Sequence, residues 1–166
     1  MIKRLYPKFY LKSIFEIDSE ALKNQGIKGL IFDIDNTLVP YDEAYPTSEI
    51  IAFFEKLKKE GFQICLASNN TEDRVVKFNE NLKVFAIHKS GKPRRRGLYK
   101  AMELMNLRKE EVAMVGDQIF TDVLAGNRAG VLSILVVPVS EKDEWITKIK
   151  RGIEKRVVKH YEKYNR

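Results

Sequence analysis

The sequence predicts an α/β fold: a Rossmann-like three-layer core with a mainly parallel five-stranded sheet. Two observations carry that expectation. Apolar runs of strand length (GLIFDID, FQICLAS, KVFAIH, EVAMVGD and VLSILVV) recur every 20 to 35 residues. Helical patterns fill the gaps between them, the alternation that a parallel sheet requires.

The elements follow in order. GLIFDID, from Gly29, is hydrophobic without alternation, as a strand buried on both faces must be, and it ends in two acids one residue apart. Thr47 follows Pro46 as a candidate N-cap, with Ile50, Phe54 and Leu57 on one helix face and Gly61 as the stop. FQICLAS is the second strand, ending at Ser68. Asn70-Thr-Glu-Asp opens the next helix with acids in its first turn. KVFAIH (83–88) is the third strand, and a helix from about Arg94 to Met105 leads to EVAMVGD, the fourth. Residues 119–129 read as a short helix stopped near Gly130, before VLSILVV, the fifth strand.

Length and composition bound the rest. A chain of 166 residues with 44% hydrophobic and 32% charged residues reads as one globular domain over 1–166. Its core spans about 29–137, preceded by a basic segment 1–28 and followed by a basic helix over about 141–164. No apolar run approaches the roughly 20 residues that span a bilayer. The first residues lack a signal-peptide core, and the one cysteine, Cys65, suits a reducing compartment, so the expected place is cytoplasmic. Cys65 in FQICLAS reads as packing, not thiol chemistry. The net charge of +7 is uneven: residues 29–140 sum to zero, 1–28 carry +3 and 141–166 carry +4. Basic ends suit nucleic acid, an anionic membrane or plain solvated helix faces.

Ligands of such sheets bind beyond the carboxyl ends of the strands. Asp33, Ser68 and Asp117 sit at such ends on this reading, and Lys92 follows the third strand closely. Ionised carboxylates at the end of an apolar strand need compensation. Asp33, with a neighbouring backbone carbonyl, can face one cavity, and GDQIFTD adds Asp117 and Asp122 from the other side. Oxygen donors without a cysteine or histidine cluster favour Mg²⁺ over Zn²⁺. Ser68 and Lys92 offer donors to phosphate oxygens, as do Asn69 and the helix start after it. A metal, a lysine, a hydroxyl and a carboxylate nucleophile describe phosphoryl transfer through an aspartyl-phosphate. Asp35 is suited to protonate the departing oxygen and then activate water. His88 and His160 have no partner at ligand spacing and read as incidental.

DIDNT from Asp33 to Thr37, Ser68 after LA, Lys92 in GKP and GDQIFTD from Gly116 to Asp122 resemble the four motifs of the haloacid dehalogenase (HAD) phosphatases. The resemblance implies Asp33 as nucleophile, Asp35 as general acid/base, and Ser68 and Lys92 as phosphate binders. It implies Mg²⁺ held by Asp33, Asp117 and the Asp35 carbonyl, with Asp122 a direct or water-linked supporting acid. Thr37 resembles the phosphatase pattern, not the dehalogenase one. Members of this family often insert a cap after the first or second motif. Here residues 38–61 and 71–91 are consumed by core elements, so no cap fits and a large substrate is expected. SIFEIDSEALKNQGIKGLIFDIDNTLV and the basic C-terminal helix are similar to the capless YqeG-like branch, itself similar to phosphatidylglycerophosphate phosphatases. That implies a phosphate ester at a membrane surface, with a phospholipid as the expected partner and contact at the inner face.

The ends bear on that choice. Tyr6, Phe9, Tyr10 and Phe15 alternate with Lys3, Arg4, Lys8 and Lys12, a mix suited to a lipid interface. Trp145, Ile149, Ile153, Val157 and Tyr161 form a four-residue stripe that suits packing on the core. Arg94, Arg95 and Arg96 oppose a helix dipole and suggest an anion nearby. A nucleotide or nucleic-acid phosphatase is the rival enzyme reading, ranked second for want of a base-stacking module. A non-catalytic, phosphate-responsive module such as a receiver domain is the third. Receivers place the phosphorylated aspartate after a later strand than Asp33.

Overall fold

The computed structural model describes residues 2–140 and 145–164, with side chains from Lys150 onward in the last helix. Its sheet has six parallel strands, not five. They are β1 (Phe9–Leu11), β2 (Gly29–Phe32), β3 (Gln63–Ala67), β4 (Phe85–Ile87), β5 (Val112–Gly116) and β6 (Leu132–Val136), in the order β1-β6-β5-β2-β3-β4. The sixth strand is β1, which pairs Phe9 with Ile134 and Leu11 with Val136. Three half-buried residues next to a proline carry too short a pattern to read as a strand. The free edge of β6 supplies the hydrogen bonds that make them one.

The helices are α1 (Ser19–Asn24), α2 (Ser48–Lys59), α3 (Glu72–Asn79), α4 (Arg96–Met105), α5 (Leu124–Ala129) and α6 (Trp145–Tyr164). Thr47 caps α2, its hydroxyl accepting from the Ile50 N–H at 3.2 Å, and Ile50, Phe54 and Leu57 are buried. Thr71 caps α3 in the same way through the Arg74 N–H. The chain leaves α2 through Gly61 at φ 94°, where a side chain would be strained. A π turn over Ile119–Val123 precedes α5, so the expected single short helix is two pieces.

Alternate strand residues face opposite helical layers. Leu30, Phe32, Ile64 and Leu66 pack against α1, α2 and α3. Ile31, Cys65, Ala67 and Met114 pack against α4 and α5. Burial pushes the Cys65 thiol up to about 12, which agrees with packing as its role. Among the described residues, no helix is long and apolar enough to cross a membrane.

Both ends of the chain fold back. Tyr10 packs with Val157 and Val158 of α6 over Ile119, Val123 and Leu135. Tyr6 meets the His160 and Tyr161 rings, and Phe15 meets Phe53. Of the aromatics expected for a lipid interface, Tyr6, Phe9 and Tyr10 are half-buried and Phe15 is 50% exposed. Of the four-residue stripe, Val157 and Tyr161 face the body while Ile153 is exposed. The side chains of Trp145 and Ile149, and residues 141–144 of the expected helix, lie outside the described residues.

Candidate active site

The strand order reverses at β2: the chain runs outward through β3 and β4, then returns to the other flank of β2 as β5. Such a reversal leaves a crevice beyond the carboxyl ends. Asp33 follows β2, Ser68 follows β3, Asp117 follows β5, and Lys92 arrives on the loop after β4. A cavity of about 380 Å³ opens there, lined by Asp33, Asp35, Ser68, Asn69, Lys92 and Asp122 among others.

The turn after β2 explains the first acids. Thr37 and Leu38 donate their N–H groups back to the Ile34 carbonyl, and Asn36 sits at φ 61°, a conformation asparagine tolerates better than most side chains. This sends Asp33 and Asp35 apart. The Asp33 carboxylate is buried beside Thr37, whose hydroxyl donates to Asp117 Oδ1 at 2.8 Å. The Asp35 carboxylate points to the other side, where Arg74 Nε and Nη2 donate to Oδ1 at 3.3 and 3.0 Å. Asn70 Nδ2 donates to Oδ2 at 3.2 Å.

Lys92 joins the two sides of the site. Its Nζ donates to Asp33 Oδ1 at 2.8 Å and to Asp122 Oδ1 at 2.7 Å. Burial alone would lower its pKa, but the two carboxylates outweigh that and hold it above the ordinary lysine range. Asn69 sets the backbone of this loop. Its side chain accepts from the Lys92 N–H and the Ser90 hydroxyl and donates to the Lys92 carbonyl, all at 2.8–2.9 Å. The Ser68 hydroxyl accepts from the Asn70 N–H at 3.0 Å.

Asp122 folds back over the end of β5. A Cβ at Gly116 would lie 2.2 Å from its Cγ, so only glycine leaves room there. Its Oδ2 accepts from the Gln118 N–H at 3.0 Å. Asp117 meets Arg151 of α6, which contacts its carboxylate and donates to its carbonyl at 2.6 Å. Glu154 accepts from the Phe120 N–H at 3.1 Å and lies beside the same guanidinium.

Carboxylate oxygens of Asp33, Asp117 and Asp122 all lie within 4.8 Å of one another. Burial pushes Asp33 well above the usual carboxylate range, with Asp122 and Asp117 adding to the push and Lys92 opposing it. Asp117 is raised to about 6 by burial and by Asp122, against the pull of Arg151. Three buried acids, two of them sharing Lys92, form a donor set that a hard cation fits. The donors are oxygens, and neither histidine joins them: His88 faces Glu72 and His160 faces Tyr6. The structure therefore brings together Asp33, Ser68, Asn69, Lys92, Asp117 and Asp122 and leaves the Asp35 carboxylate outside the acidic group.

Four partners were not foreseen from the sequence. Asn70 and Arg74 follow Ser68 closely, but a residue at a helix start reads first as a cap or solvated charge. Arg151 and Glu154 belong to a run of charges without pattern, and only the docking of α6 makes them neighbours of Asp117.

A family model for haloacid dehalogenase-like hydrolases matches residues 39–130, a span that holds Ser68, Lys92, Asp117 and Asp122. The chain is 42% identical over 159 residues to the Bacillus subtilis (strain 168) protein named "Probable phosphatase YqeG", covering 95% of this chain and 92% of that one. It is 33% identical to the Arabidopsis thaliana phosphatidylglycerophosphate phosphatase 1, covering 93% of this chain but 47% of that longer protein. Among solved structures, the Haemophilus influenzae deoxy-D-mannose-octulosonate 8-phosphate phosphatase superposes with a TM-score of 0.54 at 14% identity, over 84% of this chain and 91% of that one. The chain belongs to the haloacid dehalogenase-like hydrolases, among the phosphatases of that family.

Proposed function

We propose that this chain is a Mg²⁺-dependent phosphomonoester hydrolase that works through an aspartyl-phosphate on Asp33 and acts on a phosphate ester at a membrane surface, phosphatidylglycerophosphate first among candidates. The observation that carries the chemistry is the buried Lys92 ammonium shared by Asp33 and Asp122, with Asp117 in the same group. An open cavity without a cap supports a large substrate, and the relative named for phosphatidylglycerophosphate supports the lipid.

Asp33, Asp117 and the Asp35 carbonyl would hold the ion, with Asp122 supporting them. When bound, the ion offsets repulsion between the acids and an incoming phosphate dianion. An Asp33 oxygen forms a bond to phosphorus as the ester P–O bond breaks. Lys92 balances charge on the transferring group, and Ser68 donates to its oxygens. Asp35 lines the same cavity, held by Arg74 and Asn70. Once it has taken a proton from solvent and left Arg74, it gives that proton to the departing oxygen, then takes one from the water that releases phosphate and restores Asp33. Asn69 orders the loop that presents Lys92.

The test is phosphate release from phosphatidylglycerophosphate in mixed micelles beside a short soluble ester, with and without Mg²⁺. Asp33→Asn should lose on the order of a thousandfold or more of turnover on both. Wild-type turnover in that variant would remove Asp33 as nucleophile. Equal or better hydrolysis of the soluble ester by the wild type would sink the membrane-surface substrate.

A further inference from the structure

A second, larger cavity of about 1070 Å³ lies on the outer side of the α4–α5 layer. Five arginines and one lysine line it: Arg94 and Arg95 leading into α4, Arg96 and Lys100 on α4, Arg128 from α5, and Arg4 from the N-terminal turn. Glu103 is the one acid among the described residues of its wall. Among the described residues none of the six cations makes an ion pair, and Glu103 stands alone against their mutual repulsion in the described wall. That contrasts with the balanced charge of residues 29–140 as a whole.

The cavity is built. Asn127 Nδ2 donates to the Arg4 and Tyr6 carbonyls at 2.8 and 2.9 Å and pins the N-terminal turn beside α5. Arg128 Nη1 donates to the Pro93 carbonyl at 3.2 Å and ties α5 to the loop that carries Lys92. The arginine run begins two residues after Lys92, so one loop serves both the acidic site and the basic cavity.

We infer that this arginine-lined cavity is where the protein docks on the anionic phospholipid headgroups of a membrane. Cations spread over three elements match an array of anions better than one small ion. Exposed apolar groups accompany it: Tyr99 in the wall is 45% exposed, Ile2, two residues before Arg4, is 53% exposed, and Leu104, next to Glu103, is 42% exposed. Such groups sit well among headgroups, with the arginine stems lying along the interface. A nucleic-acid strand would ask for stacking platforms, and the one aromatic in the wall, Tyr99, already carries Arg95 over its ring at 5.7 Å. This inference rests on the membrane-surface substrate proposed above and explains how an uncapped site reaches it.

The test is co-sedimentation of the full chain with phosphatidylcholine vesicles, alone or with about one third phosphatidylglycerol. Binding should need the anionic lipid and fall as salt rises. Arg95→Ala/Arg96→Ala should lower that partition by on the order of tenfold, while Lys56→Ala/Lys59→Ala, which removes the same charge from α2, should not. Hydrolysis of the soluble ester should stay within about twofold in both variants, which shows that they fold. Wild-type partition in the arginine variant overturns the inference. So does equal loss in the lysine variant, or arginine-dependent retention of an oligonucleotide without vesicle binding. Arginine-dependent vesicle binding without lipid hydrolysis keeps the docking site and sinks the lipid substrate. Lipid hydrolysis in micelles with no arginine-dependent binding does the reverse.

Discussion

At the residue scale, Lys92 sets the charge balance of the site. It relieves repulsion between Asp33 and Asp122 directly, while Asp117 has Thr37 and Arg151 instead. Asp117 is raised from 3.8 to about 6, so between those values the folded chain holds more protons than the unfolded one. Asp117, with Asp33 and Glu154 raised as well, should therefore cost the metal-free protein stability as pH rises through that window. The surface acids Glu55 and Glu111, whose pKa values are lowered by their lysine partners, give a smaller push the other way. Unfolding by denaturant in a chelator, at about pH 4 and about pH 6.5, checks the sign. Protons on Asp117 also compete with a cation. Mg²⁺ affinity measured by titration calorimetry should weaken by up to about tenfold per pH unit below about 6. An affinity flat across that range would show that Asp117 is not a ligand.

At the element scale, α6 connects the end of the chain to the acidic group. Val157 and Val158 seat it over Ile119, Val123 and Leu135, and this places Arg151 on Asp117. A cation taking that carboxylate competes with the guanidinium for its charge, so Arg151→Ala should bind Mg²⁺ more tightly, by on the order of tenfold. Calorimetry reads this without reference to turnover; unchanged affinity would show that Arg151 and the ion do not compete. Element starts and stops were legible in the sequence because they are local. Thr47 and Gly61 announce α2 through a cap hydroxyl and a positive φ. The docking of α6 was legible only as an apolar stripe, since nothing local says which surface a stripe will cover.

At the scale of the whole molecule, the sheet is the scaffold and its first layer holds it together. Phe54 is fully buried, with its ring centroid 5.0 Å from that of Phe32, the last residue of β2 before Asp33. Phe54→Ala should cost about 3–5 kcal/mol by denaturant unfolding. A loss under about 1 kcal/mol would mean that this layer collapses around the gap. Strand β1 was illegible for a whole-molecule reason. Its three residues become a strand only against β6, which lies more than a hundred residues away.

The sequence by itself determined the parallel α/β class, the strand-end positions of Asp33, Ser68 and Asp117, and the absence of room for a cap. Each follows from hydrophobic period and spacing along the chain. Only the tertiary structure decided which groups touch: Lys92 between Asp33 and Asp122, Asp35 turned to Arg74, Arg151 on Asp117, and six cations around one cavity. Those contacts depend on strand order and helix docking, which set distances between residues far apart in the chain.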